Sequence, residues 1–378
     1  MKIIIAPDKF KGSLSSQEVC NAVEKGILKV DSSVEIKKIP IADGGEGSLK
    51  VLQNNLNFEK IIVATEDPLF RPITTYYGLS GNVAFIEVAL ASGLQLLNKE
   101  ERNPMFTSTF GTGKIILDAI KKGAKEIFLF VGGTATTDAG IGIASAFGVE
   151  FIDGNNNKLK PIGKNLEKIK TINTENAIDI KNVQLKIFTD VTNKLTGKQG
   201  AAYFYALQKG ATADDVKHLE NGLKNYSNLI EKTFGIKVSK VKGSGAGGGI
   251  IASLLFMGNV KIENGIHSIL NILNFDYYLM QSDLVITGEG LLDNQTLKGK
   301  TIKGIVERCK QFKKPVAIIC GDVKLRKKEL NKLNAVSVIS VKTKNLSHNQ
   351  AMNNAYNLLI ERATELFKII RKTIPFNE

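Results

Sequence analysis

Leu284-Val-Ile-Thr287 runs without a charged residue straight into Gly288-Glu-Gly290, and Asp293 follows shortly after. A strand with no polar alternation is buried on both faces, as in the interior of a parallel sheet covered by helices. In an open α/β sheet, ligands gather outside the carboxyl ends of such strands. Glycines there let a ligand approach the backbone, while Glu289 and Asp293 can hold a cation or a hydroxyl. The rest of the chain must then supply parallel neighbours for this strand.

It does. Ile3-Ile-Ile-Ala6, Val34–Ile39, Val316–Ile319 and Val336–Ile339 are further short strand-like runs, separated by segments of helical period. Ser15 reads as an N-cap, with Glu18 completing a capping box, and Val19, Ala22, Val23, Gly26, Ile27 and Val30 then share one helix face. A last helix over about 349–371 carries an Ala/Leu/Ile face. The middle differs: Ile61–Thr65, Thr74–Tyr77 and Val83–Val88 follow one another across Pro/Gly turns, a spacing for antiparallel pairing. A helix from Thr112 to Lys122 is ended by Gly123, and the strands Glu126–Val131 and Lys186–Thr189 follow. At 378 residues the chain exceeds the size at which one core keeps growing. Two α/β domains are expected: 1–58 with 242–378 as a discontinuous, doubly wound parallel domain, and 59–241 as an inserted mixed α/β domain.

The 51 basic and 37 acidic side chains leave a formal charge of +14. The lysines are scattered, as in Lys37-Lys38, Lys121-Lys122, Lys313-Lys314 and Lys327-Lys328, and there is no tryptophan to stack on bases. This predicts a solvated surface with mild attraction for acidic small molecules and no specific nucleic acid. Cys20, Cys309 and Cys320 have no C-x-x-C spacing and read as buried thiols of a reducing compartment. The first apolar run is too short for a signal peptide, and Gly249–Met257 is too short to span a bilayer. A cytoplasmic protein without membrane contact is expected.

Five further loops carry chemistry. Pro7–Ser13 places Lys9, Lys11 and Ser13 before a helix, either an anion site or a capping turn with solvated lysines. Ala42–Ser48 holds Asp43 and Glu46 among three glycines, which suits a metal or a substrate hydroxyl better than a simple turn. Gly132–Gly140 joins glycines to three threonines, and Gly132, Gly133, Thr134 and Thr136 are candidate donors to phosphate; Asp138 can equally be an N-cap. Asp190, at a strand end, is a base, a metal ligand or a turn residue. In Gly243–Gly249, Gly245 and Gly247 are candidate backbone contacts for phosphate.

Rival motifs fail. Gly243, Gly245 and Gly248 satisfy G-x-G-x-x-G, but the preceding stretch is polar, with Lys237, Ser239 and Lys240. Gly299-Lys300-Thr301 imitates the end of a P-loop, yet Asn294 stands where its first glycine belongs. His218, His267 and His348 are isolated, so neither a zinc site nor a serine triad assembles, and a general base must be a carboxylate or lysine.

In this order the loops resemble the bacterial type I glycerate kinase family. Its opening strand and turn stand as Ala6-Pro-Asp-Lys-Phe-Lys-Gly-Ser13, and its ADGGEG turn as Ala42–Gly47. Gly111-Thr-Gly113, Gly132–Gly140, Asp190–Asn193, Gln208–Ala211, Ile286–Thr296 and Gly299-Lys300 match in turn, covering nearly the whole chain. The resemblance implies phosphorylation of a hydroxyl of D-glycerate with ATP and Mg²⁺ by two α/β domains, one flavodoxin-like, with the site in the cleft between them. Lys11 and Ser13, with the backbone of Gly132–Thr136, would hold anionic oxygens. Asp190 would be the base, and Glu289 and Asp293, with Asp43, would hold the metal. On sequence grounds these acids are interchangeable. The chain departs from the family pattern at Thr134, Thr137 and Ala139, at Leu291 where a polar residue is frequent, and at Gly248 where alanine is common. A kinase for another small hydroxy acid and a catalytically silent nucleotide-binding regulator are the alternatives. The oligomeric state and the phosphorylated position stay open.

Overall fold

A computed structural model describes residues 1–373 apart from Asp43, Glu46, Asn54, Gln295, Gly299, Lys300, Lys344 and Asn345. The chain divides into two compact units. One comprises Met1–Asp43, Lys50–Leu56 and Gly265–Glu378, the other Gly44–Leu49 and Asn57–Asn264.

The first unit is built on a five-stranded sheet, all parallel, in the spatial order Ser337–Ser340, Val316–Cys320, Leu284–Gly288, Lys2–Pro7, Glu35–Lys38. Counted along the chain this is the order 2-1-3-4-5 of a flavodoxin-like doubly wound sheet. The apolar runs dictate it. Leu284–Gly288 and Val316–Cys320 are buried at every position, as strands covered by helices on both faces must be. The helix Ser16–Leu28 starts where the capping box places it: Ser15 Oγ accepts the Glu18 amide at 3.3 Å, and Glu18 returns a carboxylate to the Ser15 amide at 2.8 Å. Its apolar face packs on the C-terminal helix Ala355–Thr373, with Val19, Val23, Ile27, Leu366 and Phe367 in one core with Ile3, Ile5 and Ile286. Gly26 permits the contact, since a Cβ there would stand 2.6 Å from Ala363 Cβ. All three cysteines are buried and free.

The second unit carries a six-stranded sheet ordered Gly258–Glu263, Ile180–Phe188, Glu126–Phe130, Val83–Glu87, Pro72–Ser80, Glu59–Glu66. The first four run parallel, and the last two form the antiparallel turn-linked pair that the Pro/Gly punctuation predicts. Gly258–Glu263 places 242–264 in this unit, whereas the sequence reading assigns that stretch to the first domain. Its residues Gly-Asn-Val-Lys-Ile-Glu are partly exposed along an edge and lack the apolar continuity of the other strands. No helix among the described residues is long and apolar enough to cross a membrane.

Candidate active site

In the first unit, the strands Lys2–Pro7 and Leu284–Gly288 are the neighbours at which the strand order reverses. Outside their carboxyl ends lies a cavity of about 590 Å³. That is the position where a doubly wound sheet binds its ligand. The loops expected from sequence meet there: Lys9, Lys11 and Ser13 come from one strand end, and Glu289 and Asp293 from the other. An apolar flank of Phe10, Val341, Ala351, Met352 and Ala355 completes it, and Leu291 lines the wall.

Short-range chemistry fixes these loops. The Asp8 carboxylate accepts the Lys9 amide at 2.6 Å and the Thr301 hydroxyl at 2.8 Å. Ser13 donates its hydroxyl to the Phe10 carbonyl at 3.1 Å, closing the turn. Thr296 donates to the buried carboxylate of Glu289, and its oxygen accepts the Asp293 amide at 3.2 Å. The loops after Leu284–Gly288 and Val316–Cys320 run side by side, Leu291-Leu292 pairing with Asp322-Val323. Glycine makes this approach possible, because a Cβ at Gly321 would stand 2.4 Å from the Gly290 carbonyl oxygen. Sequence reasoning missed Lys324 and Lys342 at this cavity. Lys342 pairs with Asp322 at 3.0 Å. Neither lysine sits in a recognisable motif; tertiary pairing brings them there.

Among the described residues no group of three or more His, Cys, Asp or Glu is placed to hold a metal ion. Glu289 and Asp293 supply two carboxylates on one loop, which suits Mg²⁺, a cation that takes one or two carboxylates and fills its octahedron with water and phosphate oxygens.

In the second unit four loops converge around the carboxyl ends of Glu126–Phe130 and Ile180–Phe188. Gly132 lies against the Gly44-Gly45 turn: its amide reaches the Gly44 carbonyl at 3.4 Å, and a Cβ on it would come 2.4 Å from Gly45 Cα. Asp43 and Glu46 themselves lie outside the described residues. The helix that follows is anchored by Glu87, a buried acid missed from sequence, whose carboxylate accepts the amides of Gly47 at 2.9 Å and Leu49 at 3.1 Å. Asp190 lies two residues past its strand, and the next turn is tied to the Gly243–Gly249 loop by Gly245 N–H donating to the Asn193 carbonyl at 3.0 Å. Ser244 Oγ accepts the Leu195 amide at 2.9 Å. Gly248 in turn packs on the Thr136 peptide. It has φ 74°, and a Cβ would stand 2.0 Å from the Thr136 oxygen, so this chain needs glycine there.

Asp138 turns out to be a buried cap. Its carboxylate accepts the Thr109 amide and hydroxyl, both at 2.8 Å, and the amides of Gly140 and Gly142. Burial raises its pKa, against the lowering effect of those bonds. The largest surprise is Lys209. It is buried, donates to the Thr136 carbonyl at 2.6 Å and to Thr134 Oγ1 at 3.1 Å, and burial pulls its pKa down to about 7 against the field of Asp138. Its sequence signal is its place in Gln208–Ala211, a segment that matches the family pattern without giving the lysine a role.

The Glycerate kinase family profile matches residues 3–371. The chain belongs to this family. It is therefore a kinase. A glycerate kinase of Halalkalibacterium halodurans is 38% identical over 96% of this chain and 97% of its own length. The Escherichia coli protein named glycerate 2-kinase is 37% identical over 85% and 86%. The crystal structure of a putative glycerate kinase 2 from Salmonella typhimurium superposes with a TM-score of 0.83 at 34% identity, covering 98% of both chains. Within this glycerate kinase family fold, His218 bonds to the Lys164 carbonyl at 2.9 Å and His267 stands 3.4 Å from Glu307, local partners at the surface.

Proposed function

We propose that the chain transfers the terminal phosphoryl group of ATP to D-glycerate with Mg²⁺, in the cytoplasm and without a membrane or nucleic-acid partner. The observation that carries this reading is the cavity at the reversal of strand order, where Lys9, Lys11, Glu289 and Asp293 line one volume with an apolar flank. That combination of cations, carboxylates and apolar wall suits a magnesium nucleotide.

Phosphoryl transfer demands positioning and charge neutralisation more than covalent chemistry. Lys9 and Lys11 hold anionic oxygens at the first strand end, on the turn that Ser13 closes by donating to the Phe10 carbonyl. Glu289 and Asp293 hold Mg²⁺, which lowers the charge on the phosphates when bound. In the second unit Gly132, Gly133, Thr134 and Thr136, together with Gly245 and Gly247, form an anion cradle. Asp43 and Glu46 are assigned to the acceptor's hydroxyls. Asp190 accepts the proton of the reacting hydroxyl as its oxygen attacks. The name of the Escherichia coli relative supports the 2-hydroxyl as acceptor.

The test is to incubate the purified protein with Mg-ATP and a panel of hydroxy acids while following ADP release, then to locate the phosphate by NMR. Turnover confined to D-glycerate with phosphate on C2 is expected. Faster turnover of another hydroxy acid would overturn the substrate, and ADP-free mixtures throughout would overturn the activity.

A further inference from the structure

We propose that Lys209 is a positioning residue for the anion-binding turn Gly132–Thr134, acting through the hydroxyl of Thr134. The proposal rests on the reading of that turn as an anion cradle. Lys209 is 5% exposed, and among the described residues its ammonium bonds to neutral oxygens, Thr134 Oγ1 and the Thr136 carbonyl. The Asp138 carboxylate acts on it through space, but it is already bonded to Thr109, Gly140 and Gly142. A buried cation without a directly bonded counter-charge is costly unless a ligand completes the balance.

The bonds show how its charge is delivered. Thr134 Oγ1 accepts from the ammonium, so its own proton must turn away, and it has no acceptor among the described residues. Two carbonyls of the loop are engaged by other segments, Gly133 O by the Leu94 amide at 2.9 Å and Thr136 O by Lys209 at 2.6 Å. The amides of Gly133 and Thr134 have no acceptor among the described residues, and Gly133 is exposed with φ 77°. The turn therefore presents N–H groups and one polarised O–H on its open side, with a cation one hydroxyl behind them. Phosphate or carboxylate oxygens are the ligand class this fits.

Lys209→Gln, Thr134→Val, their combination and Thr134→Ser are the variants to compare, with Michaelis constants for Mg-ATP and D-glycerate and the dissociation constant of sulfate. Each of Lys209→Gln and Thr134→Val should weaken one anionic substrate and sulfate by roughly 10- to 100-fold, the range of a charge-assisted hydrogen bond. Thr134→Ser should stay near wild type, and the double variant should be no worse than the weaker single one, because both act on one path. Additive losses, or full affinity in Lys209→Gln beside a weakened Thr134→Val, would overturn the role of Lys209. Unchanged affinities in all variants would overturn the cradle itself. Should Lys209→Gln not fold, sulfate binding between pH 6 and 8.5 decides: it should weaken with rising pH in wild type and Thr134→Ser as the ammonium discharges, and be flat in Thr134→Val. Identical pH profiles in Thr134→Val and wild type would refute the relay.

Discussion

Thr301 donates its hydroxyl to Asp8 Oδ2 at 2.8 Å, and the other oxygen of that carboxylate takes the Lys9 amide at 2.6 Å. One acid thus ties the lysine-bearing turn to the first residue of the helix Thr301–Gln311. Thr301 is fully buried, so Thr301→Val keeps the shape and deletes one bond to a charged group. The expected cost is about 1.5–3 kcal/mol of stability. The looser turn should also raise the Michaelis constant for ATP several-fold. Urea unfolding and steady-state kinetics measure both, and an unchanged pair would remove Asp8 as the organiser of this loop.

Asp190→Asn should leave the melting temperature close to wild type, since Asp190 sits partly exposed at a strand end rather than in the core. Turnover should fall by about 10²- to 10⁴-fold, the contribution of a general base. Wild-type turnover would show that another group takes the proton.

Glu289→Gln and Asp293→Asn test the metal assignment. Each should raise the Mg²⁺ concentration needed for half-maximal rate about tenfold or more, because each removes a charged ligand from a cation that takes few from protein. In the first variant Thr296 can still donate to the side-chain amide oxygen that replaces the carboxylate, so folding should survive. If titration with Mg²⁺ gives superimposable curves for wild type and both variants, the carboxylates serve another purpose.

Much of this could be read before any coordinates. Leu284–Gly288 and Val316–Cys320 are buried at every position because their sequences leave no polar face, and the Ser15–Glu18 box sets a helix start by local bonds alone. The Pro7–Ser13 and Glu289–Asp293 loops meet because both follow adjacent parallel strands. What escaped depends on distant partners. Gly258–Glu263 becomes a strand through the edge of Ile180–Phe188, not through its own mixed residues. The choice left open at Asp138 is made by Thr109, which occupies its carboxylate, and the chemistry of Lys209 exists only because Thr134 and Thr136 lie against it. Glu87 likewise acquires its role from amides some forty positions away.

Lys209 should also make stability depend on pH in a direction of its own. Its pKa falls from an ordinary 10.5 to about 7 because burial disfavours the ammonium. Below about pH 7 the group is charged in both folded and unfolded chains, and the cost of burying that charge is fully present. Between about pH 7 and 10.5 the unfolded chain still binds the proton while the folded chain has lost it. Stability contributed at this site therefore rises with pH across that window. Lys209→Met removes the titration and keeps most of the stem, so the stability of wild type minus that of the variant should grow more favourable from pH 6.5 to 9.5. Urea unfolding at both values supplies the difference, in which groups common to the two proteins cancel. A difference that shrinks as pH rises would mean that Lys209 stays charged in the fold, held by a stronger counter-charge than Asp138.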